Sequence, residues 1–141
     1  GAVPKKLPEV DLGTLTKIAP SDLRLLWVND WYDGPLEAVV EHDGKPCLMV
    51  LWSESDDETD HPYRWVLVEL SAEQRADEER WHALFAEHVG DHWCFHGALV
   101  EHPPPRPDAD PDAFFIPYRQ RPPLDLTQNR VVGWTDEMPS R

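Results

Sequence analysis

The eighteen residues LEAVVEHDGKPCLMVLWS, positions 36–53, decide the fold. Asp43-Gly44 stands between two apolar segments, and both central positions of a tight two-residue hairpin turn need positive φ, which Asp and Gly tolerate best. The stretch therefore predicts a β-hairpin over 36–53. Pro46 has no N–H to give a ladder, which places the start of the second strand at an edge or a bulge.

Working outward toward the C-terminus, Tyr63 to Leu70 alternates Tyr63, Trp65 and Leu67 with Val66, Val68 and Leu70. Both sets are apolar, so this strand is expected to be covered on both faces. Ser71 follows at once, and Gln74 three residues later completes a capping box in which side chain and backbone satisfy each other. A helix over 72–89 is predicted from there, with Trp81, Leu84, Phe85 and Val89 on its apolar stripe and Glu73, Asp77, Glu78 and Arg80 on the wet side. Gly90 is its stop, since a left-handed residue after the last turn costs glycine nothing.

Toward the N-terminus the pattern weakens. Leu23 to Val28 fits either a strand or a helical turn, and Asn29 to Pro35 carries turn formers ending in Asp-Gly-Pro, which reads as a loop. Residues 1–20 have isolated apolar positions between Pro4, Pro8, Gly13 and Pro20 and read as an extended arm. Beyond the helix, His92 to His102 is ambiguous, Pro103 to Pro107 is extended by its fixed φ angles, and Phe114 to Arg121 and Arg130 to Thr135 read as late strands. The expected class is α+β: a mainly antiparallel sheet packed against one long helix. The expected organisation is an arm over 1–20 and one domain over 21–141 that contains a proline-rich connector at 103–113.

Composition bounds the partners. The chain of 141 residues has 27 acids against 13 bases, a formal charge of −14. Residues 41–115 hold 18 of the acids and 5 of the bases, so nearly all the imbalance is central. Its densest run is Glu54-Ser55-Asp56-Asp57-Glu58-Thr59-Asp60, between two predicted strands. A surface of this sign repels phosphate backbones and anionic lipid, which disfavours direct nucleic-acid and membrane binding. No apolar run approaches the ~20 residues that span a bilayer. The first ten residues carry two lysines with no apolar run behind them, so a cytoplasmic chain is expected, with Cys47 and Cys94 as reduced thiols.

Chemistry is harder to find. His88, His92 and His96 recur at i, i+4, i+8 with Cys94 nearby, a set that could hold zinc for a metal-assisted hydrolase if one helix carried all three. Gly90 interrupts that helix, and the spacing matches no established ligand pattern. Asp108-Ala109-Asp110-Pro111-Asp112 begins like a calcium loop, yet Ala113 and Arg119 occupy the positions that need Gly and Glu. Asp30 and Asp33, with Trp31 and Tyr32 between, could pair carboxylates at a substrate. Seven tryptophans leave room for a Trp-lined small-molecule or sugar pocket. There is no glycine-rich phosphate cradle and no G-x-S-x-G elbow.

The sequence thus favours a non-enzymatic protein that docks to a basic protein partner, as an inhibitor, immunity protein or antitoxin would. Glu54, Asp56, Asp57, Glu58 and Asp60 would supply steering and rim contacts, with Trp31 as an anchor and Tyr32 and Asp33 as further partner-binding residues.

Overall fold

Asp43 (φ 52°) and Gly44 (φ 73°) turn the chain as expected and bring His42 opposite Lys45. In the computed structural model, which describes residues 5–31, 35–54, 63–90 and 110–140, this hairpin is the centre of a five-stranded sheet. A short strand β1 (Lys5–Lys6) lies apart from it; the sheet begins with β2 (Leu23–Trp31), followed by β3 (Pro35–His42), β4 (Lys45–Glu54) and β5 (Tyr63–Glu69). Helix α1 (Ala72–His88) comes next, then α2 (Pro111–Arg119), β6 (Leu124–Asp125) and β7 (Val131–Thr135). The sheet order is β2-β3-β4-β5-β7 with every pair antiparallel, while β1 and β6 form a separate parallel pair. The architecture is α+β.

Period-two alternation builds two cores from one sheet. Ala38, Val40, Cys47, Met49, Trp65 and Leu67 bury on one face with Ile18 from the N-terminal segment. Val39, Leu48, Val66, Val68 and Leu70 bury on the other, where Leu7, Val10 and Leu12 of the arm and Leu126 pack against them. The two-faced reading of β5 is borne out. Cys47 is a buried free thiol on the first face, and burial pushes it up to about 12, so it stays a neutral apolar filler at physiological pH.

Pro46 sits differently from expectation, because β4 is the central strand and not an edge. It is the second residue of that strand, opposite Glu41, and its carbonyl accepts the Leu70 N–H at 2.9 Å. The missing donor thus falls at the end of the ladder, where little is lost.

Helix α1 begins with the expected capping box: the Ser71 hydroxyl accepts from the Gln74 N–H at 3.1 Å, and the Gln74 side chain accepts from the Ser71 N–H at 2.9 Å. It ends with Gly90 at φ 101°, whose N–H reaches back to the Phe85 carbonyl. Phe85 of the apolar stripe packs with Phe114 and Tyr118, against which Trp81, Leu84 and Val89 also rest.

Those partners correct the reading of Phe114 to Arg121 as an edge strand. Asp110 caps a helix by accepting from the Asp112 N–H, and Pro111 takes the first helical position, where no N–H is needed. Phe114 and Tyr118, four apart, then bury on one side. Pro117 lies inside this helix and gives up a donor in its last turn. The stretches at 92–102 and 103–107 lie outside the described residues.

Asn29 to Trp31 is strand, not loop. A register shift between Leu25 and Trp27 makes this segment informative: strict alternation would put positions 23, 25, 27 and 29 on one face. Leu23 and Leu25 do bury in the first core, but after the bulge Val28 takes their side while Trp27 joins the second core. The bulge thereby aims Asn29 at the helix-covered face.

Candidate functional site

Asn29 is the hub of a buried polar chain that crosses five segments. Its side-chain oxygen accepts from the Trp27 indole N–H at 2.9 Å, which fixes the amide's orientation. Its amide nitrogen then donates to Glu37 of β3 at 2.8 Å and to Glu78 of α1 at 3.1 Å. Glu37 and Glu78 are each 4 % exposed. Their other oxygens are also engaged: Lys5 of the arm pairs with Glu37, and Arg121, beyond α2, pairs with Glu78 at 3.0 Å and with Asp77 at 2.9 Å.

Charge balance explains how two carboxylates remain inside. Two cations face two buried anions, and all four carboxylate oxygens have a donor. Burial nonetheless raises the Glu37 carboxyl above the usual glutamate range, against the pull of Lys5 and the hydrogen bonds it receives from Lys5 and Asn29, and Glu78 pushes it further the same way. Tyr118 behaves similarly: burial, followed by the charges of Glu37 and Glu78, takes its phenol to about 12. The expectation that Glu78 lies on the wet side of α1 is corrected here. It faces the sheet because Arg121 and Asn29, far away in sequence, supply its partners.

Aromatic rings close the site. Trp27 stacks on His82 with centroids 4.9 Å apart and planes 11° from parallel, and the Arg121 guanidinium lies over Trp81 at 5.4 Å and Tyr118 at 5.6 Å. A cavity of about 20 Å³ remains between Asn29, Glu78, His82 and Tyr118, space for one water. A more open groove of about 550 Å³ runs outside it, past Asp77, Arg80, Trp81, Gln120 and Pro123.

The residues singled out from sequence stand elsewhere. Glu54 ends β4 and Trp31 ends β2. Tyr32, Asp33, Asp56, Asp57, Glu58 and Asp60 lie outside the described residues, as do His92, His96 and Cys94. His88 is the last residue of α1, with its imidazole 4.0 Å from Glu87. The left-handed Gly90 ends the helix there, so α1 does not carry the three imidazoles along one face. Among the described residues no group of three His, Cys, Asp or Glu is arranged to hold a metal, and no helix is long and apolar enough to cross a membrane.

Lys5, Asn29, Glu37, Glu78 and Arg121 were not expected to meet. One signal was present: Glu37 shares its strand face with Val39 in a segment apolar on both sides, where a carboxylate needs a buried partner. Compared with family models, curated proteins and solved structures, the chain matches none of them.

Proposed function

We propose that the protein is a non-enzymatic binding protein whose acidic sheet end docks to a basic protein surface, in the manner of an inhibitor, immunity protein or antitoxin. The observation that carries this reading is the polarity of the strands. In the meander, Trp31 lies opposite Pro35, Glu54 opposite Tyr63, and Thr135 opposite Trp65, so all five strands start or finish at one common end. β2 ends there at Trp31 and β4 at Glu54, the first residues of the two segments that the sequence selects, and Asp136, paired with Lys17 at 2.9 Å, and Glu137 follow β7 there. The opposite end carries Lys45 and Arg130, both paired with Glu69.

A field with this asymmetry steers a cationic partner and repels nucleic acid. Tyr63, 42 % exposed at the start of β5 and paired in register with Glu54, supplies an apolar contact at that end. The buried network serves this function indirectly, since Asn29, Glu78 and Arg121 tie helix α1 to the sheet.

Paired baits test the reading. The wild-type chain and a chain with Glu54, Asp56, Asp57, Glu58 and Asp60 changed to amides are used to capture protein from a native extract. The partner is the basic protein held by the first and lost by the second. Its association rate should fall at least ~10-fold between about 0.02 and 0.2 M salt. A rate that ignores salt, or equal retention on both baits, overturns the reading.

A further inference from the structure

Within the buried network Lys5 is the member contributed by the N-terminal arm. Asn29 and Glu37 sit in the five-stranded sheet, Glu78 in a seventeen-residue helix, but Lys5 rides on a two-residue strand. That strand is attached by its parallel pairing with Leu124–Asp125, by the Leu126 N–H donating to the Lys6 carbonyl at 2.8 Å, and by the ion pair to Glu37. Leu7, Val10 and Leu12 add contacts that leave each of them only partly buried. The Lys5 side chain is nevertheless only 10 % exposed where it meets Glu37.

Lifting the arm away would leave three things side by side: the hydrogen-bonding edge of β6, the Glu37 carboxylate without its ammonium, and the apolar strip that Leu7 covers. A strand edge takes a backbone, a buried acid takes a cationic side chain, and an apolar strip takes the neighbouring residue. The geometry points to a binding site for an extended, lysine-bearing segment of the basic partner, with Lys5-Lys6-Leu7 as its intramolecular occupant. This deepens the proposed function and rests on it. Glu37 is opposite Asp30, near the acidic end of the sheet, so a partner steered there meets the site.

The tethered arm competes at the effective concentration of a short linker, on the order of millimolar, and so sets the affinity an incoming segment must exceed. Weakening the arm in cis should therefore strengthen binding in trans. The probe is a fluorescent peptide of residues 1–10, GAVPKKLPEV, titrated into the full chain with anisotropy as the readout. The Lys5→Ala chain should bind it at least ~10-fold tighter than wild type. The same peptide with K5A should not bind, and neither should a Lys5→Ala/Glu37→Gln chain. Amide exchange adds a local readout, since protection of the Leu126 N–H should fall in Lys5→Ala and return when the peptide is added.

If Lys5→Ala does not fold, Lys5→Met keeps the apolar stem and carries the same comparison. Equal peptide affinity for wild-type and variant chains, or binding that survives the loss of Glu37, overturns the inference. Either result leaves the acidic-end docking intact, because that is decided by the salt dependence of the captured partner. A salt-independent partner alongside Glu37-dependent peptide binding would instead overturn the docking reading and, with it, the assignment of the site to a partner's segment, leaving a site that the arm alone fills.

Discussion

Arg121 shows how one side chain can hold a helix to the rest of the protein. Its guanidinium, 8 % exposed, is the cation that lets Glu78 stay inside, and it also reaches Asp77 on the same helix. Arg121→Met keeps the apolar bulk over Trp81 but leaves Glu78 as an uncompensated buried charge, and is expected to cost about 3–5 kcal/mol in urea unfolding. Adding Glu78→Leu should recover most of that loss, since the penalty comes from the orphaned anion; a double variant as unstable as the single one would place the cost in lost packing. Glu37 makes a second prediction at this scale. Burial outweighs Lys5, so the folded carboxyl holds its proton to higher pH than the unfolded one does. Its contribution to stability is therefore complete below the ordinary glutamate range and is lost as pH rises through the folded value. The stability of wild type relative to Glu37→Gln should shrink as pH rises above the ordinary glutamate range, as read from urea curves at several pH values. A difference that grows with pH would mean that attraction to Lys5 wins over burial.

At the scale of elements, α1 is specified locally at both ends. Ser71→Ala removes the hydroxyl that accepts from Gln74 and should cost about 1 kcal/mol. Gly90→Ala forces a side chain onto φ 101° and should cost about the same, with the two losses additive because the ends of the helix are independent. Thermal unfolding of both single variants and the double checks this; a clearly sub-additive double would show that the ends fray together. The same locality explains what could be read in advance. Asp43-Gly44, the two-faced alternation of β5, and the Ser71–Gln74 pair each act over a few residues, so their signals survive in the bare sequence. What failed depended on distant partners. Phe114 to Arg121 looks like an edge strand because of Pro117, and becomes a helix because Phe114 and Tyr118 find Phe85 and Trp81. Asn29 looks like a turn former and is a strand residue because a bulge upstream turns it toward Glu37 and Glu78. The candidate site shows the same division. The acidic run from Glu54 to Asp60 is visible as composition, whereas a network joining positions 5, 29, 37, 78 and 121 has no local signature at all.

At the scale of the whole molecule, a formal charge of −14 on 141 residues sets two salt effects against each other. Screening weakens exposed ion pairs such as Arg24–Glu41 and Lys45–Glu69, whose cations are more than half exposed and which contribute little individually. Screening also relieves the repulsion among the unbalanced carboxylates, a long-range term that grows with net charge. The buried pairs at Glu37 and Glu78 feel little of either change, being shielded from the ions. Repulsion should therefore dominate, and stability should rise by an amount on the order of 1 kcal/mol between about 0.01 and 0.3 M sodium chloride, measured by urea unfolding at fixed pH. The chain with Glu54, Asp56, Asp57, Glu58 and Asp60 changed to amides separates a concentrated field from a diffuse one. If the strand ends gather the charge, this variant should start out more stable at low salt and lose most of the salt-dependent gain. A variant that gains from salt as much as wild type does would mean the repulsion is spread over the surface, and the acidic end would then have no special claim on a cationic partner.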